Sequence, residues 1–489
     1  MNAFSFSWPF LRVSLFTPNV LVARLFSRDG ALLLALLALA TLARLPLMSF
    51  QGYYHDLASF VSWGTTLASH GSSGLYAVRA TTAPGDAIDL GINYPPGTPY
   101  VFGLFVWLYT VLIAPMTHTT LAQAVSHDGP GPFFAKLPLL LADLGAVALL
   151  YYEARKRRSA RFAVLAAASY ALSPALLYTG AWWGQTDGLV ALPLLIAVFA
   201  LIEERFTLGG VALAITVLLK PQPVIFIPFA LLYLWRWRSR QELLRFSVAF
   251  LMTAFIALLP VMIPNFQLGA MLGNMRAESY SDSLVMSADA YNFWWLIGDG
   301  YKPMGGAFLG IDWLKIATVG EALFAAFALL GAIQIWRSSQ PVALCFSLAM
   351  GLFSFFMFMG GQHQRYLFFF IPLMLAASIV APRSRANPMI LLYVIGTALC
   401  FLNMLIGIGG HLWHVSPMLP FGLFPALTRW TADNFALLSF GLALYQVISY
   451  AFALWVYLAG RYLSGENDLK TSDALVSAFP LASPRAAGG

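Results

Sequence analysis

Apolar residues fall in long runs, and the charged residues concentrate in short gaps between them. The runs lie at about 31–49, 97–117, 136–152, 162–179, 186–204, 208–220, 222–235, 244–263, 316–336, 341–359, 364–381, 388–408 and 435–459. An upright membrane helix needs roughly 20 consecutive apolar residues, so several of these are short. The gaps sort by charge. Residues 153–161 read EARKRRSAR and 236–241 read RWRSRQ, followed by Arg245. Arg337 opens a further gap, Arg383 and Arg385 lie in the next, and Arg461 follows the last run. Short basic gaps stay cytosolic, which assigns 50–96, 180–185, 264–315, 360–363 and 409–434 to the opposite side. Alternation holds from residue 153 onward and fails once upstream. Only one crossing fits between 50–96 and the cluster at 153–161, although both 97–117 and 136–152 are apolar. The charge cluster is the stronger constraint, so 97–117 is predicted to be re-entrant or interfacial, leaving twelve crossings. The runs 208–220 and 222–235 meet at Lys220-Pro221-Gln222-Pro223. Proline cannot donate to a helical ladder, and a lysine at such a break needs protein, water or an anion. Two short helices meeting below the outer surface are predicted there.

Composition narrows the class. Of 489 residues, 60% are hydrophobic and 10% charged, where a soluble domain carries about 25% charge. With a mean hydropathy of +0.74, the chain is read as an all-α polytopic membrane protein. The 39 glycines and 28 prolines favour broken helices and a site inside the bundle. The net charge of +7 comes from basic residues in the gaps and does not imply nucleic acid as a partner. Cys345 and Cys400 lie within apolar runs and read as small buried hydrophobes. Residues 1–30 are expected to be a cytosolic N-terminal segment, with the first span retained rather than cleaved. Residues 31–460 form the membrane domain, with outer loops 50–96 and 264–315. Residues 461–489 read as a disordered cytosolic tail.

Unusual chemistry sits in the outer loops. His55 and Asp56 follow the first span; Asp56 suits either a helix cap or a general base. Asn93-Tyr94-Pro95-Pro96 suits a turn into a helix or a wall of a site. In GAWWGQTDG, Trp182 and Trp183 have the look of an interfacial aromatic belt. Gln185 and Asp187 fit a cap for the next span or a site acid opposite Asp56. Asn292, Phe293, Trp294 and Trp295 suit sugar stacking or a helix lying on the membrane. His363, Gln364, Arg365 and Tyr366 stand at the outer mouth, where Arg365 could hold a phosphate or snorkel to headgroups. Acids, a lysine, an arginine, a histidine and tryptophans thus gather on one face, as an anionic phosphate-bearing substrate would require. No phosphate-binding loop, dinucleotide fingerprint or hydrolase motif occurs.

These segments together resemble the GT-C superfamily of integral membrane glycosyltransferases, and within it bacterial relatives of the second mannosyltransferase of GPI-anchor synthesis. The resemblance rests on His55-Asp56, Asn93-Tyr94-Pro95-Pro96, Trp183-Gly184-Gln185-Thr186-Asp187, Lys220-Pro221-Gln222-Pro223, Asn292-Phe293-Trp294-Trp295 and His363-Gln364-Arg365-Tyr366, in that order. It implies a GT-C-type fold with about twelve transmembrane helices, a re-entrant or interfacial helix and extracytoplasmic loops. It implies transfer, with inversion, of mannose or a related hexose from a polyprenyl-phosphate donor to a glycan or glycolipid acceptor. The expected setting is a bacterial inner membrane with the site facing the periplasm. Asp56 would be the base and Asp187 a second catalytic acid. Arg365, Lys220 and His363 would bind the donor phosphate. His55, Asn93, Tyr94, Gln185, Asn292, Trp294, Trp295, Gln364 and Tyr366 would contact substrate. The resemblance fixes no cofactor and allows a divalent cation, Mg²⁺ or Mn²⁺. The chain departs from the pattern at Leu57, where a second acid would follow Asp56, and at Gln364, where many relatives carry glutamate. The other function class that shares broken helices and midplane charges is a transporter or flippase.

Overall fold

Helix α1, Arg28–Met48, starts at Ser27, whose hydroxyl accepts the Gly30 amide at 3.1 Å. In this computed structural model the described residues are 27–77, 80–81, 89–263, 265–279, 284–383, 386–411 and 425–460. Most of the expected N-terminal segment, the tail 461–489, Arg385 and residues 412–424 lie outside them. Among the described residues eight helices are long and apolar enough to cross a membrane, and the chain is a multi-pass integral membrane protein. Besides α1 these are α4 (Leu137–Arg157), the helix α5 (Ala160–Ala171) continued to Trp183, α9 (Arg240–Met262), α11 (Ile316–Arg337), α12 (Pro341–Phe358), α14 (Ala386–His411) and α15 (Phe435–Ala459). Shorter apolar helices are α3 (Gly97–Leu112), α6 (Asp187–Ile202), α7 (Phe206–Leu219) and α13 (Phe370–Val380). Helix α2 (Tyr54–His70), α8 (Phe226–Trp237) and α10 (Leu268–Ser279) complete the set used below.

Burial separates centre from rim. Nearly every side chain of α12 and α13 is buried, and α6 is buried through most of its length. Helix α9 buries only Phe246 and Val261 and turns apolar residues such as Leu251 and Ile256 outward. In water that exposure would be unfavourable at about 25 cal/mol per Å²; against lipid it is the expected surface of a membrane bundle.

The basic gaps converge at one end. Arg155 bonds Asp29 at 3.1 Å, Lys156 and Arg157 engage Glu203, and Arg238 meets Glu204 at 2.9 Å. Arg158 donates to the carbonyls of Ser378, Ile379 and Ala381, a cation at the C-terminal end of α13, where the helix dipole favours it. Described residues of three segments predicted on the other side, Tyr53–Tyr94, Trp183 and Ala288–Asp289, come together around one cavity with His363.

Helix α3 is tied to its neighbours at both of its own termini. Thr98 Oγ1 donates to the Leu219 carbonyl at 2.5 Å, where α7 stops, and the Tyr100 hydroxyl donates to Ala257 near the end of α9 at 3.0 Å. Its far end places Tyr109 against Phe134, with ring centroids 5.3 Å apart, in the short helix that leads into α4. The sixteen residues of α3 are fewer than the roughly 20 that an upright span needs.

Candidate active site

Two features of the chain build the first wall. Helix α5 continues through a short helical turn into a π-helical turn, Leu177–Trp183, which ends at Gly184 with φ +89°. Widened turns of this kind concentrate at functional sites, and a left-handed closing residue favours glycine. Gly52, at φ +63°, lies so close to this turn that a Cβ would stand 2.2 Å from the Trp182 carbonyl oxygen. Lys136 locks the two together: its buried ammonium donates to the carbonyls of Phe50 (2.6 Å), Ala181 (3.0 Å) and Trp182 (2.6 Å). Trp182 and Trp183 are buried, each 1% exposed, so the expected interfacial belt is not their role. The Trp183 indole N–H donates instead to Asp56 Oδ2 at 2.8 Å.

Asp56 lies in the first turn of α2, but the N-cap is Tyr53 and no side chain caps the helix. The capping alternative for Asp56 is therefore not the arrangement seen. Its carboxylate lines a cavity of about 390 Å³ together with Tyr53, His55, Asn93, Tyr94, Asp289, His363 and Arg365, within the roughly 300–1,000 Å³ usual for small ligands. Gln364, Tyr366 and Gln222 complete the polar side, and Phe60, Trp63 and Trp183 the apolar one.

A two-stranded parallel ladder, Ser287 with Gln362 and Ala288 with His363, adds Ala288 and His363 to the lining. It ties the long outer loop to the segment before α13. Arg365 follows, 8% exposed, with Cζ 5.4 Å from the Trp183 ring centroid and 5.5 Å from that of Tyr366. Burial opposes its charge, but Asp56, Tyr366, Tyr94 and Asp187 outweigh that and raise its pKa above the ordinary value. Burial also raises the Tyr94 phenol against the pull of Arg365.

His363 behaves differently. Burial first, then the charges of Arg365 and Lys220, push it from 6.5 down to about 3, so it is neutral at working pH. A depressed histidine pKa means that the unfolded chain binds the extra proton. His363 therefore disfavours the fold progressively as pH falls from 6.5 towards about 3. Between pH 5 and 8, His363→Gln should leave the midpoints of the pH–rate profile where they are in the parent. A limb near pH 6.5 that vanishes in the variant would contradict this.

Asp187 and Lys220 lie beneath the cavity and do not line it. Both are fully buried, and Lys220 Nζ donates to Asp187 Oδ1 at 2.6 Å. The ammonium sits 5.8 Å from the Tyr94 ring centroid and 5.6 Å from that of Tyr366. In this structure the partner of Lys220 is thus the Asp187 carboxylate. Gln185 is also fully buried and outside the cavity. Asn292 Nδ2 donates to the Phe356 carbonyl at 2.8 Å, and Trp294 Nε1 to that of Phe358 at 2.7 Å. These two side chains join the outer loop to the end of α12 and do not reach the cavity. Trp295 packs edge-on against Tyr291 and Tyr301 at 4.8 and 4.7 Å. None of Asn292, Phe293, Trp294 and Trp295 is among the residues that line the cavity. Lys136 and Asp289 were not legible as site residues. The one signal for Lys136 is a lysine opening an apolar run on the side where basic residues are scarce.

A second cavity of about 300 Å³ adjoins the first and shares Gln222 and Tyr366 with it. Its lining is mainly apolar, with Pro221, Val224, Ile225, Met275 and Phe355, and Arg276 stands beside them. Among the described residues no group of three or more His, Cys, Asp or Glu side chains is placed to hold a metal.

No protein-family model matches the chain, and no curated protein matches it by sequence. Among solved structures it is similar to ArnT from Cupriavidus metallidurans bound to undecaprenyl phosphate. That similarity has a TM-score of 0.49 at 16% identity and covers 88% of this chain and 76% of ArnT.

Proposed function

We propose that the chain is an inverting GT-C-type glycosyltransferase that moves a hexose, mannose or a related sugar, from a polyprenyl-phosphate donor to a glycan or glycolipid acceptor. The observation that carries this is the pairing of cavities. A polar one is lined by carboxylates and a guanidinium, and an apolar one lies beside it, sharing Gln222 and Tyr366. A substrate that is half sugar phosphate and half hydrocarbon fits that pair. The site is lined by segments that the basic gaps assign to the other side, which supports an extracytoplasmic site in a bacterial inner membrane.

The chemistry follows from the groups present. The acceptor hydroxyl attacks C1 of the donor sugar, and the C1–oxygen bond to phosphate breaks. The proton passes to Asp56, oriented by the Trp183 N–H, and polyprenyl phosphate leaves. Arg365 meets the charge growing on the phosphate, an interaction that gains strength in an enclosed site. The neutral His363 can donate or accept a hydrogen bond without adding charge.

The test is transfer of labelled hexose from hexosyl-phosphoundecaprenol by the purified protein in a bilayer with membrane-extract acceptor. Label on the acceptor with release of undecaprenyl phosphate supports the reading. Label on intact lipid that has only changed leaflet would show transport and overturn it. Within that assay, Arg365→Lys should raise the donor KM about 10–100-fold, the worth of a lost charge-assisted bidentate contact of about 1.5–3 kcal/mol. An unchanged donor KM would remove Arg365 from the phosphate.

A further inference from the structure

A hairpin in the long outer loop lines neither cavity. Its strands are Ala307–Phe308 and Ile311–Lys315, and its tip and one face are apolar and uncovered. Trp313 is 82% exposed and Leu309 76%, more than any other large apolar side chain among the described residues. Ile311 is exposed as well. Side chains two apart on a strand point to the same face. Ile311 and Trp313 therefore share one face, and Asp312 between them takes the other.

The turn is built at a cost. Phe308 pairs with Ile311, which leaves Leu309 and Gly310 as a two-residue loop, at φ +52° and φ +77°. Two left-handed residues in such a loop mark a type I′ turn, whose first place favours asparagine, aspartate or glycine. A leucine there is strained, and strain of that kind persists where something else offsets it. Packing among the described residues offers Leu309 little in return, since its side chain is mostly exposed. A two-stranded hairpin is also marginal in water by itself. Both facts call for an apolar surface outside the chain.

The position of the hairpin identifies that surface. Its base is bonded to the first turn of α11: the Ile316 amide donates to the Gly306 carbonyl at 2.9 Å, and the Ala317 amide to that of Met304 at 3.2 Å. Helix α11 has 22 residues and is about 33 Å long, which matches the thickness of the hydrocarbon core. It turns apolar side chains such as Leu329 outward, against lipid. Ile316 therefore stands at the boundary of the core, at the end away from Arg337. The five residues of the second strand span about 17 Å, so the hairpin is continuous with the lipid-facing surface of α11 and within reach of the headgroups. Its depth is limited as well. The outer edges of a two-stranded ladder leave backbone N–H and C=O groups unpaired, and the hydrocarbon core cannot satisfy them. The headgroup layer can, and tryptophan is enriched there.

We propose that this hairpin rests in the headgroup layer of the membrane, with Leu309, Ile311 and Trp313 turned to the top of the acyl chains, and so anchors the long outer loop to lipid.

The experiment places parent and Trp313→Phe in bilayers of phosphatidylethanolamine and phosphatidylglycerol. Subtracting their emission isolates Trp313 from the chain's 14 tryptophans. Phospholipid brominated near the top of the acyl chain should remove most of the Trp313 component. Bromine near the chain end should remove less, and aqueous iodide little. Iodide quenching without bromolipid quenching puts the hairpin in water and overturns the proposal. Protection from both quenchers means that a second copy or another protein covers the hairpin, and overturns it equally. Stronger quenching by the deeper bromine overturns the headgroup placement. A second reading leaves Trp313 in place. Cys345 and Cys400 are buried, so an environment-sensitive dye can be attached at Leu309→Cys or at Asp312→Cys. Emission from position 309 should lie further to the blue than emission from position 312. Equal emission, or the reverse order, overturns the proposal.

Discussion

Asp56→Asn should lower single-turnover transfer from a saturating lipid-linked sugar by about 10²–10⁴-fold, the range for loss of a general base. An alcohol must lose its proton as its oxygen bonds to C1, and Asp56 is the cavity carboxylate that the Trp183 N–H orients. Asparagine preserves the shape and can still accept the Trp183 N–H through its side-chain oxygen, so the protein should fold and bind donor. What disappears is proton affinity. Asp187→Asn belongs beside it as a control: Asp187 is buried against Lys220 and does not line the cavity, so its loss should show first in stability. Near-parental turnover in folded Asp56→Asn would remove Asp56 as base. A dead but fully stable Asp187→Asn would move the role to Asp187.

The second large effect is structural. Lys220→Met should destabilise the protein by about 3–5 kcal/mol, because it leaves the Asp187 carboxylate buried without its counter-charge. Asp187 has little else to turn to: its Oδ2 has no hydrogen-bond partner among the described residues. A loss of that size is a large fraction of a typical stability of about 5–15 kcal/mol. The double variant Asp187→Leu with Lys220→Met removes both charges, and its stability should recover most of the loss. Thermal unfolding of the three variants in one lipid or detergent decides it. If Lys220→Met keeps parental stability and instead raises donor KM, the lysine is a phosphate ligand, as the sequence motif first implies.

Much of the architecture could be read from charge placement. The gaps at 153–161 and 236–241 carry basic residues that meet Glu203 and Glu204 at one end of the bundle, whereas Glu203 and Glu204 themselves fall inside an apolar run of the sequence. The break at Lys220-Pro221-Gln222-Pro223 was also legible, since proline cannot extend a helix; α7 stops at Leu219 and α8 starts at Phe226. Roles inside the site were less so. Asp56 and Trp183 are 127 residues apart, and nothing local tells a tryptophan that orients an acid from one that lies in a membrane interface. Asn292 and Trp294 have the composition of a sugar platform, yet the carbonyls they reach are at the frayed end of α12, a partner set only by packing. Asp289 was hidden for the opposite reason. Its neighbours Ser287, Ala288 and Ala290 form no motif, and its importance comes from a ladder with a segment some 75 residues later in the chain.

The apolar cavity beside the polar one has a kinetic consequence for the proposed reaction. A donor whose tail lies among Val224, Ile225 and Phe355 is delivered by lateral diffusion in the bilayer rather than from bulk water. The quantity that saturates such an enzyme is the donor's mole fraction among lipids, not its molarity. Adding inert phospholipid or detergent at fixed total donor would then slow turnover by surface dilution, with no inhibitor and no change in the protein. Apparent affinities measured at different lipid-to-protein ratios become comparable only when expressed on that two-dimensional scale.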